Sequence, residues 1–218
     1  MLPSRDARAE TGHWKPRLMG AALWALIGGL SFVLGWAIAA GLAAFELDVM
    51  IIDCGWFCGV SLSMLLAGLS YTAILGIAAY RAGCAGRRRA AGFAVLAMPW
   101  FAAGWNAGVE LYFSVLDDMN FVLELAASMT AGLWLTLVAT VSLPSVRSWA
   151  SVRWLLAGSA VASSVFAAMG AGGIGGLLGE DGDLLPQVTA WCAVYAAAFS
   201  MALPRARRDG VPGNPPAA

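Results

Sequence analysis

Six long apolar runs, separated by short polar connectors, restrict the fold of this chain more than any other feature. A helix needs about twenty predominantly apolar residues to cross the hydrocarbon core of a bilayer. Each run reaches that length, and the short connectors make consecutive helices antiparallel neighbours. The sequence therefore predicts an all-α, polytopic integral membrane protein, a bundle of six transmembrane helices with short loops and with spans at about 18–45, 55–80, 90–116, 121–143, 152–178 and 184–203.

The composition supports a lipid environment for these runs. Hydrophobic residues make up 60% of the chain and charged residues only 12%, whereas an ordinary soluble domain is about half apolar and about a quarter charged. A water-soluble fold of this size could not bury so much apolar surface. The lipid bilayer is therefore the first expected partner.

Lysine and arginine residues occupy alternate connectors. All thirteen lie before the first run, between the second and third, between the fourth and fifth, or after the sixth, and the other connectors carry acidic residues alone as their charged groups. Because cytoplasmic loops hold the excess of basic residues, both termini are expected in the cytoplasm, with the chain in a bacterial inner membrane. Residues 1–17 are then a cytoplasmic N-terminal segment and residues 205–218 a disordered cytoplasmic tail.

A cleaved signal peptide ending near Ala39 is the competing interpretation of the first run. The apolar stretch before that position is about twenty residues long, whereas a typical signal core has about 7–15. The length favours a retained span.

The chain has one histidine, His13, and one lysine, Lys15, and both precede the first run. Bis-histidine haem ligation, histidine-rich zinc sites and an intramembrane Schiff base need residues that the spans lack. The basic residues form short clusters instead of a stripe, which argues against nucleic-acid binding. No G-x-S-x-G nucleophile motif is present, so the sequence predicts no enzyme activity, no metal centre and no cofactor.

Two carboxylates, Glu110 and Glu124, fall inside predicted spans, where a charge costs at least a few kcal/mol unless it pairs or reaches water. Both are expected in the outer third of the membrane. Asn106 lies one helical turn before Glu110, and Trp105 and Tyr112 are close in sequence. These five residues are the predicted binding site for a cation or a small polar solute. The competing interpretation is that both carboxylates reach the headgroups.

Pro99 lies well inside the third predicted span. Proline removes a backbone hydrogen bond and usually kinks a helix. In a membrane such a kink can open a cavity or act as a hinge, so Pro99 is the predicted hinge.

The fifth predicted span ends in a glycine-rich run that matches the G-x-G-x-x-G dinucleotide pattern. No strand precedes it and acidic residues follow it, which argues against phosphate binding. Gly172 with Gly176, and Gly175 with Gly179, form G-x-x-x-G pairs that favour close helix packing. A broken helix end is the competing interpretation.

Three of the four cysteines are expected near the outer side. Cys54 and Cys58 lie four residues apart, which in a helix is too far for a disulfide, and Cys192 is expected at similar depth. Their predicted role is that of small buried hydrophobic residues, with redox chemistry as the alternative.

The polar residues of the third and fourth spans favour a small transporter or channel component for a cation or small polar solute. The alternative is a non-catalytic accessory, scaffold or sensor subunit of a larger membrane complex. Such a subunit would act through lateral packing of its small residues against a membrane protein partner or a second copy of itself.

Overall fold

The computed structural model describes residues 14–45, 50–53, 59–104, 106–107, 120–171 and 184–204. Within these ranges the chain is mostly helical. Six bounded helices are numbered here in chain order: α1 Trp14–Ala44, α2 Leu62–Arg81, α3 Arg87–Ala97, α4 Asn120–Ser142, α5 Trp149–Ala171 and α6 Leu184–Ala202. The remaining bounded elements are strands β1 Met50–Asp53 and β2 Gly59–Ser61 and a 3-10 helix, Pro144–Val146.

Four helical stretches are long and apolar enough to cross a membrane. They are Pro16–Leu42, Leu62–Arg81, Glu124–Ser142 and Trp149–Gly170. The chain is therefore a membrane protein by the length and composition of its helices. α3 has 11 residues and α6 has 19, and neither is among these four, so a bundle of six spans stays a prediction.

The helices form a closed ring in chain order. Each helix packs against the next, and α6 packs against α1. Consecutive helices are antiparallel: Gly28 of α1 lies against Tyr71 of α2, whereas Gly35 lies against Ala67. All arginines in the described ranges therefore lie at one end of the ring, which we call the basic end. Glu124 lies at the opposite end.

The segment before α2 is a β-hairpin, where the sequence predicts helix from residue 55 onward. Met50 pairs with Ser61 and Asp53 with Gly59 in antiparallel register. α2 begins only after Ser61, whose hydroxyl accepts a hydrogen bond from the Met64 amide at 3.3 Å. Over a few residues a short strand and a helix can share the same hydropathy, so the expectation of helix at 59–61 was wrong, while the all-α class agrees with a mostly helical chain.

The chain turns at Met98 and Pro99, between α3 and a further helical segment at 100–104. A hydrogen bond of 2.8 Å from the Ala103 amide to the Pro99 carbonyl joins the turn to the helical segment after it. α2 approaches this turn closely, because a Cβ atom on Gly68 would overlap the Met98 carbonyl. Glycine at position 68 therefore allows α2 to lie directly against the interruption.

Three segments meet at Cys84 on the basic end: the α2–α3 connector, the α4–α5 connector and the residues after α6. The Cys84 thiol donates a hydrogen bond to the Pro204 carbonyl at 3.3 Å, and the Ser145 hydroxyl donates to the Cys84 carbonyl at 2.8 Å. Burial raises the pKa of the Cys84 thiol, an effect that the Ser145 hydroxyl partly offsets. Gly83 enables the preceding turn, because its φ of 70° is unfavourable for other residues.

Candidate functional site

A column of aromatic rings fills the centre of the ring of helices. The Trp100 and Trp191 rings stack with centroids 5.0 Å apart, and Trp191 stacks on Tyr195 at 5.2 Å. Tyr71 packs against Trp100 at 5.3 Å. These four side chains, which we call the aromatic column, are each at most 2% exposed. They join α2, α6 and the helical segment 100–104 into one core.

Every polar group of the aromatic column has a hydrogen-bond partner. The Tyr71 hydroxyl donates to the Cys192 carbonyl at 2.9 Å, and the Trp100 indole donates to the Gly68 carbonyl at 3.3 Å. Two further bonds of 3.1–3.3 Å link Tyr195 with Thr136 and Trp191 with Ser163. The column is therefore a fully hydrogen-bonded and closely packed seal between the two ends of the ring.

A small cavity of about 80 Å³ lies against the column on the side away from the basic end. Segment 100–104 and helices α4, α5 and α6 form its walls. Its lining is almost entirely apolar and comprises Trp100, Phe101, Gly104, Ala127, Ser128, Ala131, Phe166, Val188 and Trp191. Liquid water occupies about 30 Å³ per molecule, so the cavity suits a ligand of only a few heavy atoms.

Glu124 lies one helical turn before Ser128 on α4. Its carboxylate covers Gly170 of α5, so closely that a Cβ atom on that glycine would overlap it. One carboxylate oxygen, Oε2, is buried and accepts no hydrogen bond from any described residue. A buried acceptor of this kind is costly unless a donor or a cation satisfies it. Glu124 is therefore the strongest candidate ligand group in the described part of the chain.

Gln187 provides a second unsatisfied oxygen at the same end. The residue is 7% exposed, and no described group donates to its Oε1 atom. It lies one turn before Trp191 on α6, next to Val188, which lines the cavity. The cavity therefore has polar side chains near it on two of its helices, α4 and α6.

The structure describes some of the predicted site residues and not others. Asn106 is helical and half-buried, and Pro99 lies in the turn after α3. Nine of the residues singled out in the sequence lie outside the described residues: Trp105, Glu110, Tyr112, Gly172, Gly175, Gly176, Gly179, Cys54 and Cys58. Cys192 is buried within the core, as expected of a small hydrophobic residue.

The contribution of α6 to the site was not predicted from the sequence. Gln187, Trp191 and Tyr195 follow one another at four-residue spacing, which places them on one face of a helix. This spacing is visible in the sequence and could have predicted that the three side chains share one face of α6. Gly170 had no comparable signal, because its role is to leave room for the side chain of Glu124 on a different helix.

Neither a metal site nor a similarity to known proteins indicates the function of the described part of the chain. Within the described ranges, no group of three or more His, Cys, Asp or Glu side chains could hold a metal ion. Comparisons of the chain with protein-family models, with curated proteins and with solved structures found no match. The geometry at Glu124 is therefore the main indication of what this chain does.

Proposed function

We propose that this chain is a small transporter or channel component that binds a cation or a small polar solute beside Glu124. The observation that carries the proposal is the buried Oε2 atom, which lacks a hydrogen-bond donor among the described residues. A carboxylate inside a membrane span is costly unless it pairs, so such residues commonly mark ion or substrate pathways. A bound cation or a donor group of a solute would satisfy this oxygen.

The adjacent cavity supports a small ligand with positive charge. Trp100 and Trp191 line it beside apolar side chains, and a low-dielectric wall of this kind strengthens the attraction between a carboxylate and a cation. Ser128 contributes the single hydroxyl group among the lining residues. A ligand held between Glu124 and this wall would combine ion pairing with apolar contact.

Passage beyond the cavity would require the aromatic column to rearrange. Trp100 follows directly after the Met98–Pro99 turn, so a change of angle at that turn would move its ring away from Trp191. The proposed hinge at Pro99 thus acts on the seal itself. The sequence context argues against nucleotide binding by the glycine-rich run, so an ion gradient or a partner ATPase would supply the energy.

The proposed setting is a bacterial inner membrane, crossed six times, with both termini in the cytoplasm. The concentration of arginines at the basic end supports this orientation, because basic residues accumulate on the cytoplasmic side. Glu124 and the cavity would then open towards the outer side. α6 would be the sixth span, and α3 with the segments after Pro99 the third.

Uptake and binding measurements with the purified chain in proteoliposomes test the proposal. Glu124→Gln should reduce cation-dependent uptake at least tenfold, since it removes the charge and keeps the shape. Asp53→Asn, at the same end and with the same change of charge, is the matched control. Glu110→Gln tests the other predicted carboxylate. Equal uptake by the parent and by both glutamine variants would remove these carboxylates from the site.

The second candidate function, a non-catalytic accessory, scaffold or sensor subunit of a larger membrane complex, is favoured by the buried aromatic column. A core that is filled and fully hydrogen-bonded suits a packing role as well as a gated one. Purification in mild detergent followed by mass spectrometry distinguishes the two. A stoichiometric membrane partner would support the accessory role, whereas an active chain purified alone would contradict it.

A further inference from the structure

A second and larger cavity lies at the basic end, between α1, α2 and α6. Its volume is about 630 Å³, and we call it the basic-end groove. The residues that line the groove include Arg17, Gly20, Trp24, Arg81, Met201 and Pro204. It lies on the other side of the aromatic column from Glu124 and is independent of the function proposed above.

The groove has a positively charged rim. Arg17 lies in the first turn of the apolar stretch of α1, and Arg81 is the last residue of α2. Both side chains are exposed, and among the described residues that line the groove none is acidic. Two guanidinium groups at the rim favour an anion with several oxygen atoms, such as a phosphate group.

The walls below the rim are apolar. Trp24 lies seven residues beyond Arg17, about 10 Å further along the helix axis at 1.5 Å per residue. Ala21 and Ala78, each about one helical turn inside the arginine on the same helix, also line the groove. Gly20 has nothing within 4 Å of the position where its Cβ would lie, so the space beside α1 is open. The groove thus changes from charged to apolar along the direction of the membrane normal.

A phospholipid has the same division between an anionic headgroup and apolar chains. The Arg17 and Arg81 positions coincide with the ends of membrane-crossing stretches, where lipid headgroups lie. Basic pockets between transmembrane helices on the cytoplasmic side are suited to anionic headgroups. A free phosphate ion would use the rim and leave the apolar walls unoccupied.

The terminal segments of the chain are poorer candidates for the groove. Residues 205–218 contain three arginines and one aspartate, so their charge has the same sign as the rim. Residues 1–13 carry arginines and acidic residues in equal number, and lack a long apolar run to cover the walls. We infer that the basic-end groove binds an anionic phospholipid, with its phosphate between Arg17 and Arg81 and an acyl chain along α1.

Native mass spectrometry of the full chain, released from micelles containing phosphatidylglycerol or phosphatidylcholine with identical acyl chains, tests this inference. The parent should retain phosphatidylglycerol in preference to phosphatidylcholine. Arg17→Gln with Arg81→Gln should weaken retention by about fivefold for each arginine. Arg88→Gln with Arg89→Gln removes two charges from the same end, away from the groove, and should retain the lipid. Equal loss in both double variants would overturn the inference, because it would indicate diffuse attraction.

Filling the groove tests the apolar part separately. Gly20→Phe, whose Cβ would lie in open space, should displace the lipid, whereas Gly41→Phe, at another open position on α1, should leave retention unchanged. A photoreactive phenylalanine at position 20 identifies the occupant directly. A cross-link to phospholipid supports the inference, and a cross-link to residues 1–13, to residues 205–218 or to a second copy of the chain overturns it.

Discussion

The indole rings of Trp100 and Trp191 lie nearly parallel, at 8°, with their centroids 5.0 Å apart, although 91 residues separate them in the sequence. One ring follows the Pro99 interruption, and the other lies at the middle of α6. Their contact therefore joins the segment that follows the Met98–Pro99 turn to α6, the helix that closes the ring by packing against α1. Each ring also forms a wall of the small cavity near Glu124.

Trp191→Ala should destabilise the protein by about 3–5 kcal/mol, because it leaves a cavity next to Trp100 and Tyr195. Thermal unfolding in detergent, followed by circular dichroism, measures the change. Trp134→Ala is the matched control, since Trp134 is 37% exposed on the outer face of α4. Similar losses in both variants would contradict a central role for the column.

Gly132→Val should destabilise the contact between α4 and α5 by about 1–3 kcal/mol. A Cβ atom at this position would overlap the Ser159 hydroxyl and approach Trp191 to 3.3 Å. Gly92→Val places the same side chain on α3, where the site is open, and controls for the helix propensity of valine. Chemical unfolding of the two variants should separate them. An equal midpoint would show that the helices can move apart at no cost.

Gly170→Ala should weaken ligand binding at Glu124 by roughly tenfold, the order expected for one charged hydrogen bond. The added methyl group would displace the carboxylate from its position on α5. Helix stability should not fall, since alanine is the better helix former. Isothermal titration with candidate cations measures the change, and Gly41→Ala serves as the control. Unchanged affinity would mean that the carboxylate position is unimportant.

Cys84 should react slowly with alkylating reagents in the folded protein. Its thiol is buried and its raised pKa lowers the thiolate fraction at any given pH. The pKa of Cys84 is higher in the folded chain than in the unfolded chain. The contribution of the thiol to the free energy of unfolding is therefore fully present below the ordinary thiol pKa of about 8.5, and it should be lost as the pH rises through the folded pKa. Peptide mass spectrometry after timed alkylation measures the rate at Cys84 itself.

The same residue offers a structural control. Cys84→Ser keeps a hydrogen-bond donor towards Pro204 and should remove the loss of stability at high pH. Rapid alkylation of Cys84 at neutral pH in the folded chain would contradict the burial of the thiol. A pH dependence that persists in Cys84→Ser would assign it to another group.

A protease-cleavable tag at either terminus should be protected in intact cells and cut after the membrane is opened. The expectation follows from the charge pattern, because the basic end should face the cytoplasm. Western blotting of both tagged chains before and after permeabilisation provides the measurement. Cleavage of either tag in intact cells would reverse or break the proposed topology.

Hydropathy was sufficient to locate the four helices that are long and apolar enough to cross a membrane, because this property depends on length and composition alone. It was insufficient near residues 59–61, where the apolar sequence forms a strand of a hairpin. It also could not separate α3 from the segment after Pro99, since proline permits both a kinked helix and a complete interruption. The packing of α2 against Met98, through Gly68, accompanies the interruption.

The candidate site divides in the same way. The sequence identified Glu124 because a carboxylate in an apolar span is unusual at any depth. It did not reveal that the carboxylate lies on Gly170, or that Trp100 and Trp191 line the neighbouring cavity. Those relationships join positions tens of residues apart, and no local pattern reports them.

The sequence by itself determined that this chain belongs in a membrane and where its positive charges accumulate, because both follow from the free energy of transferring single side chains into lipid. The tertiary structure alone decided which helices are neighbours, that aromatic rings fill the centre, and which oxygen atoms are left unsatisfied. These depend on shape complementarity between distant segments, since lipid solvates every apolar helix face about equally and gives no preference for one pairing over another.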